Sequence, residues 1–383
     1  YGTVRLTAAI LVVDAILFSL LYLPQAVLQG ENLGYKRLGL SVILVFVSKS
    51  LLVVAVLIGT GIPGLAVAAA IATVLWGLTY VWIVRSRVPW FGIARPSFSE
   101  VRSFIRLSGW FLVWNLVMTI MLGSDVVVLG VVQGTASVAV YVLAKFLPQA
   151  IILAVATTIV AIMPGLGGLI GAGDLSRAAR VRRETLSLIW LFTVAAGTTV
   201  LLWEASFLGL WSEEARYPGS GAMLMIMLMV LQFSLIRTDA NIIDLTLNLR
   251  RKVLLGAVAA AISVGLAWFF LGPLELGIAG LALGFILGRA IQSVSYPLMI
   301  GRVLGVDAWQ QLRGLVRPAI TTTVLFGAAT VAGAELRVGS WPSLIGAAAI
   351  SGLVVTGLTF LGGLSADGRR LVLHRVRRVV RLT

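Results

Sequence analysis

The chain has 383 residues, no cysteine and one histidine. Disulfides, thiolate chemistry and cysteine-built zinc sites are excluded, and His374, set in an arginine-rich tail, has no second histidine with which to hold a metal. Charge is scarce too: Asp, Glu, Lys and Arg make up 12% of the residues, against about 25% in ordinary soluble domains. No phosphate-loop signature and no nucleophile paired with a histidine occurs. Long connections are missing as well, so a soluble catalytic module has nowhere to sit. No enzyme class is supported, and no cofactor is implied.

Apolar sequence is what the chain does have: 59% of residues are hydrophobic and the mean hydropathy is +1.03. About 20 apolar residues cross a hydrocarbon core. Eleven such stretches can be placed, at 7–28, 38–59, 63–85, 107–131, 137–163, 185–203, 220–246, 253–272, 276–300, 318–335 and 342–363. The expected fold class is an all-α polytopic membrane protein.

The net charge of +15 raises the question of nucleic acid, but its distribution answers it. Basic residues fall on alternate connections: Lys36 and Arg37; Arg85, Arg87, Arg95, Arg102 and Arg106; Arg177, Arg180, Arg182 and Arg183; Arg250, Arg251 and Lys252; Arg302, Arg313 and Arg317; then the tail. The intervening loops carry only Arg216 and Arg337, with Arg5 at the outer end of the first span. This is the positive-inside pattern, and it puts the C-terminus in the cytoplasm. No nucleic-acid partner is expected. In the tail, Val372, Val376 and Val379 share a helical face among arginines, which reads either as a helix lying on anionic membrane lipids or as a positive-inside stop signal.

Two parts of the chain match each other at a spacing of 215 to 216 residues. Phe18-Ser19-Leu20 returns as Phe233-Ser234-Leu235, Tyr35-Lys36-Arg37 as Arg250-Arg251-Lys252, and Gly61-Ile62-Pro63-Gly64-Leu65-Ala66 as Gly277-Ile278-Ala279-Gly280-Leu281-Ala282. A duplicated membrane lobe follows. The expected organisation is residues 1–106 as a first lobe of three spans with a cytoplasmic linker, 107–301 as a complete six-helix lobe, and 302–383 as two additional spans with a basic tail. On this arithmetic the first lobe lacks roughly 100 residues. An even number of spans separates equivalent points, so the lobes share one orientation.

Local signals refine the pattern. Ser97-Phe98-Ser99-Glu100 has capping-box spacing and predicts a short surface helix before the fourth span. Pro148 interrupts the span at 137–163, and Pro164 with the glycine-rich run to Gly173 closes it. That run lacks the Gly-Lys-Ser/Thr ending and follows no strand, so it reads as a glycine-rich helix end.

Charges inside spans are costly and face bundle interiors or wet cavities. Asp14, Lys49, Lys145 and Arg289 fall near mid-span, with Arg237 nearer the cytoplasm. Asp125 is placed near the outer face by its distance from Arg106. Arg237, Asn241, Asp244 and Asn248 advance at helical spacing and predict one polar stripe. Two readings stand side by side: these groups line a cavity, or they form internal ion pairs such as Arg237 with Asp239 or Asp244. The charges are not repeated between the matching halves, which favours substrate or ion handling. Glu204 is placed in the longest outer loop, running to Gly219.

The stretch from Arg95-Pro96-Ser97 through Gly123-Ser124-Asp125-Val126-Val127-Val128-Leu129-Gly130, Gly134, Tyr141-Val142-Leu143-Ala144, Pro164 and Gly173-Asp174 resembles the polysaccharide flippases of the multidrug/oligosaccharidyl-lipid/polysaccharide superfamily, those of O-antigen and exopolysaccharide biosynthesis. As a pattern of spans the resemblance covers nearly the whole chain. It implies two six-helix lobes around a central cavity, residence in the cytoplasmic membrane, and movement of a polyprenyl-diphosphate-linked oligosaccharide between leaflets by alternating access. It further implies a coupling proton or sodium ion and other polysaccharide-assembly membrane proteins as partners. Lys145, Arg289, Arg237 and Lys49 would meet the diphosphate. Asp14, Asp125, Asp239, Asn241 and Asp244 would form the polar or ion-coupling part. A multidrug/cation antiporter of the same superfamily is the alternative.

Overall fold

The computed structural model describes residues 2–31, 33, 38–92, 94–211, 217–366 and 368–370. Lys36, Arg37, Glu213, Glu214, Arg216 and the tail with His374 lie outside the described residues. Every described element is a helix, and eleven helical stretches are long and apolar enough to cross a membrane, as the sequence predicts. The chain divides into two compact units, Tyr1–Phe98 and Ser99–Thr383.

The first unit holds α1 (Gly2–Leu21), α2 (Leu23–Gly30), α3 (Leu38–Leu57) and α4 (Gly61–Arg87). The first span is bent between α1 and α2 at Tyr22, because Pro24 has no N–H to give to the carbonyl of Leu20. α4 is the hub. It packs on α1 through Gly77, where a Cβ would fall 2.5 Å from Leu21, and on α3 through a hydrogen bond from Trp76 Nε1 to Ser48 Oγ. The remaining helix faces are apolar and open, Phe46 and Leu57 among them, as lipid contact requires.

The second unit runs α5 (Phe98–Gln133), α6 (Thr135–Ala144), α7 (Phe146–Gly171), α8 (Leu175–Trp211), α9 (Ser220–Asp244), α10 (Leu249–Leu271), α11 (Gly277–Leu304), α12 (Ala308–Glu335) and α13 (Trp341–Gly363). α8 and α9 form its centre, and Val194, Met223, Met227, Val230 and Phe233 pack there against Phe285 and Phe326. The matching glycines of the repeat do the same work in each unit. Gly61 opens α4 at φ +62 and Gly277 opens α11 at φ +58, in the left-handed region that an L side chain avoids.

α10 and α11 make the closest approach. At Gly284 a Cβ would lie 2.5 Å from the backbone N of Ala267, and at Gly288 it would lie 2.5 Å from Cα of Ser263. Small residues four apart let two helices touch backbone to backbone. Gly288 precedes Arg289, so this contact fixes where that arginine points.

Four expectations change. The predicted surface helix is not separate: it is the first part of the 36-residue α5. Pro164 does not close a span, because α7 continues through it to Gly171 and turns at Gly173, after which Asp174 Oδ1 accepts from the N–H of Arg177 at 3.1 Å to cap α8. α8 is 37 residues long and includes Glu204, which is therefore not in a loop. The polar stripe ends at Asp244, and Asn248 instead starts α10 beyond a turn with Leu247 at φ +56.

Candidate functional site

The second unit buries a polar network where α5, α6, α7, α9 and α11 converge. Pro148 cannot donate to the carbonyl of Ala144, and the helix parts at Lys145, which serves as the last residue of one segment and the first of the next. That break turns Lys145 toward α5. Its Nζ pairs with Asp125 Oδ2, which also accepts from the Tyr141 hydroxyl at 2.7 Å. Asp125 is 3% exposed, and each of its oxygens is bonded, since Oδ1 accepts from the N–H of Val126. Asp125 is therefore held inside the bundle. It is nine residues before Gly134 and Lys145 eleven after it, roughly 14 to 17 Å along each helix, so the two meet at one depth.

Arg289 reaches the same place from α11. It is 4% exposed, and its Nη2 donates to the carbonyl of Met121, one turn before Asp125, at 2.7 Å. Its guanidinium lies over the rings of Phe233 and Phe285, at 5.2 and 5.0 Å. It makes no ion pair among the described residues, and its Nε is buried without a hydrogen-bond partner. Arg237 lies one turn beyond Phe233 on α9 and covers the same ring at 6.0 Å, half-buried and also without an ion pair among the described residues. Beside them, Gln232 Nε2 donates to Ser293 Oγ at 3.0 Å, and Gln292 Nε2 donates to the Tyr296 hydroxyl at 3.0 Å. The Oε1 atoms of both glutamines and Ser124 Oγ are enclosed without partners.

Charge counting gives the character of the place. Asp125 is balanced by Lys145, and the positive charges of Arg289 and Arg237 remain. Two such cations around one aromatic ring form a surface for an anion.

Two further acidic residues, both on α9, are held by cations. Asp239 is taken by Arg182 of α8, Nε to Oδ1 at 2.7 Å and Nη2 to Oδ2 at 2.8 Å, and Arg182 Nη1 also donates to Gln311 of α12. Asp244 Oδ1 is bonded by Lys252 Nζ, which stands 3.8 Å from the ring centre of Trp114. Neither expected pair with Arg237 forms. Asp239 is two residues from Arg237 and so on the opposite side of α9, and Asp244, at the helix end, faces α10. Asn241 Nδ2 donates to the carbonyl of Arg237 at 2.7 Å and so stays local.

Asp14 and Lys49 belong to the first unit. Asp14, on α1, is half-buried with Oδ1 enclosed and unpartnered, and Lys49, on α3, is exposed. Sequence reasoning missed Arg182 and Lys252, which read as topology charges, and Glu204, which is 0% exposed. The available signal was the acidic pair Asp239 and Asp244 at the end of a span, which needs basic partners from the nearby basic clusters.

No family model and no curated protein matches the chain. Among solved structures, the chain is similar to an outward-facing multidrug resistance MATE family transporter of the MOP superfamily, with TM-score 0.63 and 16% identity over 78% of this chain and 69% of that one. It is also similar to the lipid II flippase MurJ in an inward closed conformation, with TM-score 0.57 and 10% identity over 91% of this chain and 71% of that one. The fold of this membrane chain is accordingly one that a multidrug transporter and a lipid flippase share.

Proposed function

We propose that the chain is a transporter of the multidrug/oligosaccharidyl-lipid/polysaccharide kind that flips a polyprenyl-diphosphate-linked oligosaccharide across the cytoplasmic membrane by alternating access. The observation that carries this reading is the unbalanced positive charge of Arg289 and Arg237 beside Phe233, with Arg289 Nε–H and the Ser124 hydroxyl enclosed nearby as donors without a partner among the described residues. A diphosphate leaving water needs cations and hydrogen-bond donors, and the cost of burying Arg289 unpaired is recovered when an anion arrives. The polyprenyl tail needs only lipid, which the open apolar helix faces adjoin. No covalent chemistry is required, and no bond is made or broken. Lys145, held by Asp125, enters this reading as a group released when a phosphate competes for it.

The orientation with a cytoplasmic C-terminus rests on the alternation of basic connections. Asp125 and Asp14 are the carboxylates of this reading that could exchange a coupling proton or sodium ion. A multidrug/cation antiporter is the second reading, favoured by the likeness to the MATE transporter. Proteoliposomes holding the protein separate the two. Transport of a fluorescent lipid-diphosphate oligosaccharide without ethidium transport is the expected result, and ethidium transport alone would overturn it.

A further inference from the structure

Glu204 is the one buried carboxylate of the second unit's core that no described residue answers. It lies on α8 with 0% exposure, and neither carboxylate oxygen has a hydrogen-bond partner among the described residues. Asp125 and Asp239, buried to a similar degree, each hold a cation.

Its surroundings are closely packed. One turn earlier on α8, the carbonyl oxygen of Leu201 meets Gly333 of α12 so closely that a Cβ there would lie 2.1 Å away. Two residues later, Ser206 Oγ accepts from the N–H of Val338 at 3.2 Å. Tyr217, half-buried just before α9, is in electrostatic contact: burial pushes its phenol up, a charged Glu204 adds to this, and Arg337 opposes it.

Among the described residues no facing group neutralises Glu204. Arg337 is exposed and spends Nη1 on the carbonyls of Gly333 and Leu336. Glu335 and Glu275, the acidic groups at this end of α12 and α11, are exposed. α13 contains no ionisable residue, the first on α9 is Arg237 near its far end, and Lys145 at the α6–α7 break is held by Asp125. An ionised carboxylate with no partner is among the costliest groups a packed interior can hold, and binding a proton removes most of that cost.

We propose that Glu204 is a proton-binding site that is occupied while α8, α12 and Tyr217 are packed together. A proton from water forms an O–H bond on one carboxylate oxygen as the packing closes. When these elements separate, that bond breaks, the proton passes to water, and the carboxylate is left hydrated. The packed form holds one proton more than the open form, so acid favours packing and a rise in pH favours opening. The inference does not depend on which molecule is transported.

The test uses the purified protein in lipid nanodiscs. Infrared difference spectra should show the carbonyl stretch of a protonated carboxylic acid that Glu204→Gln abolishes. Amide hydrogen exchange in the α12–α13 connection and the last turns of α8 should rise with pH in the wild type and in Tyr217→Phe, and stay low at every pH in Glu204→Gln. Should the glutamine variant fold poorly, Glu204→Met supplies the same comparison. Absence of the band, or an unchanged pH dependence in the Glu204 variant, would overturn the proposal. No substrate is present, so such a failure leaves the transport reading standing, and loss of transport leaves this one standing.

Discussion

Arg182 and Asp239 form a two-point ion pair between the two central helices of the second unit, with Nε to Oδ1 at 2.7 Å and Nη2 to Oδ2 at 2.8 Å. Both residues are at most 5% exposed. Removing one partner should destabilise the protein by about 3 to 5 kcal/mol, because the other is left charged and buried. Thermal unfolding in detergent of Arg182→Met, Asp239→Leu and the double variant checks this. The double variant should recover much of the loss, and additive single losses would show that the pair is not coupled.

Lys145 and Asp125 should couple in the same way but with an effect on transport as well. Lys145→Gln leaves the Asp125 carboxylate with only the Tyr141 hydroxyl and its backbone contact. Membrane abundance should fall, and Asp125→Asn in the same chain should restore it. If transport returns together with abundance, the pair is purely structural and its place in the substrate path is wrong.

Arg289 should behave in the opposite sense. It is buried and forms no ion pair with a carboxylate among the described residues, Asp125 being already held by Lys145, so Arg289→Gln removes a charge that is costly to bury in the empty protein. Unfolding temperature should hold or rise while lipid-diphosphate transport is lost. Arg237→Gln, at the edge of the same ring, should weaken transport less because Arg237 is only half-buried. Wild-type transport with both replaced would remove the anion site.

The α10–α11 contact gives a packing test. Gly284→Ala sets a methyl group 2.5 Å from the backbone of Ala267, where no side chain can yield, and should cost about 1 to 3 kcal/mol. Gly265→Ala on α10 meets nothing within 4 Å and should be neutral or slightly stabilising. Equal unfolding temperatures for the two variants would mean that the helices do not touch as described.

The number and type of spans were legible because a membrane helix writes its length directly into hydropathy, and the matching glycines Gly61 and Gly277 each start a helix because both positions need the left-handed backbone. Helix ends were less so. Nothing in residues 204–211 breaks a helix, yet their mixed polarity resembles a loop, and Glu204 was assigned to water when the fold buries it. The candidate charges were found by their cost, but their partners were not. Asp239 finds Arg182 across 57 positions, and no local spacing encodes that meeting. Arg182 and Lys252 were hidden for a further reason. A basic residue at a cytoplasmic helix end satisfies the topology pattern whether or not it also turns inward to a carboxylate.

Pro148 has one more effect on the break at Lys145. In an unbroken helix, swinging α6 relative to α7 would tear a backbone hydrogen bond from the carbonyl of Ala144, in surroundings where no water could replace it. Pro148 never made that bond, so the joint can flex with one fewer bond to break. α10 and α11, locked at Gly284 and Gly288, have no such freedom. The side chain at the pivot is the lysine that holds Asp125, so any swing of α6 must either carry that ion pair along or prise it open.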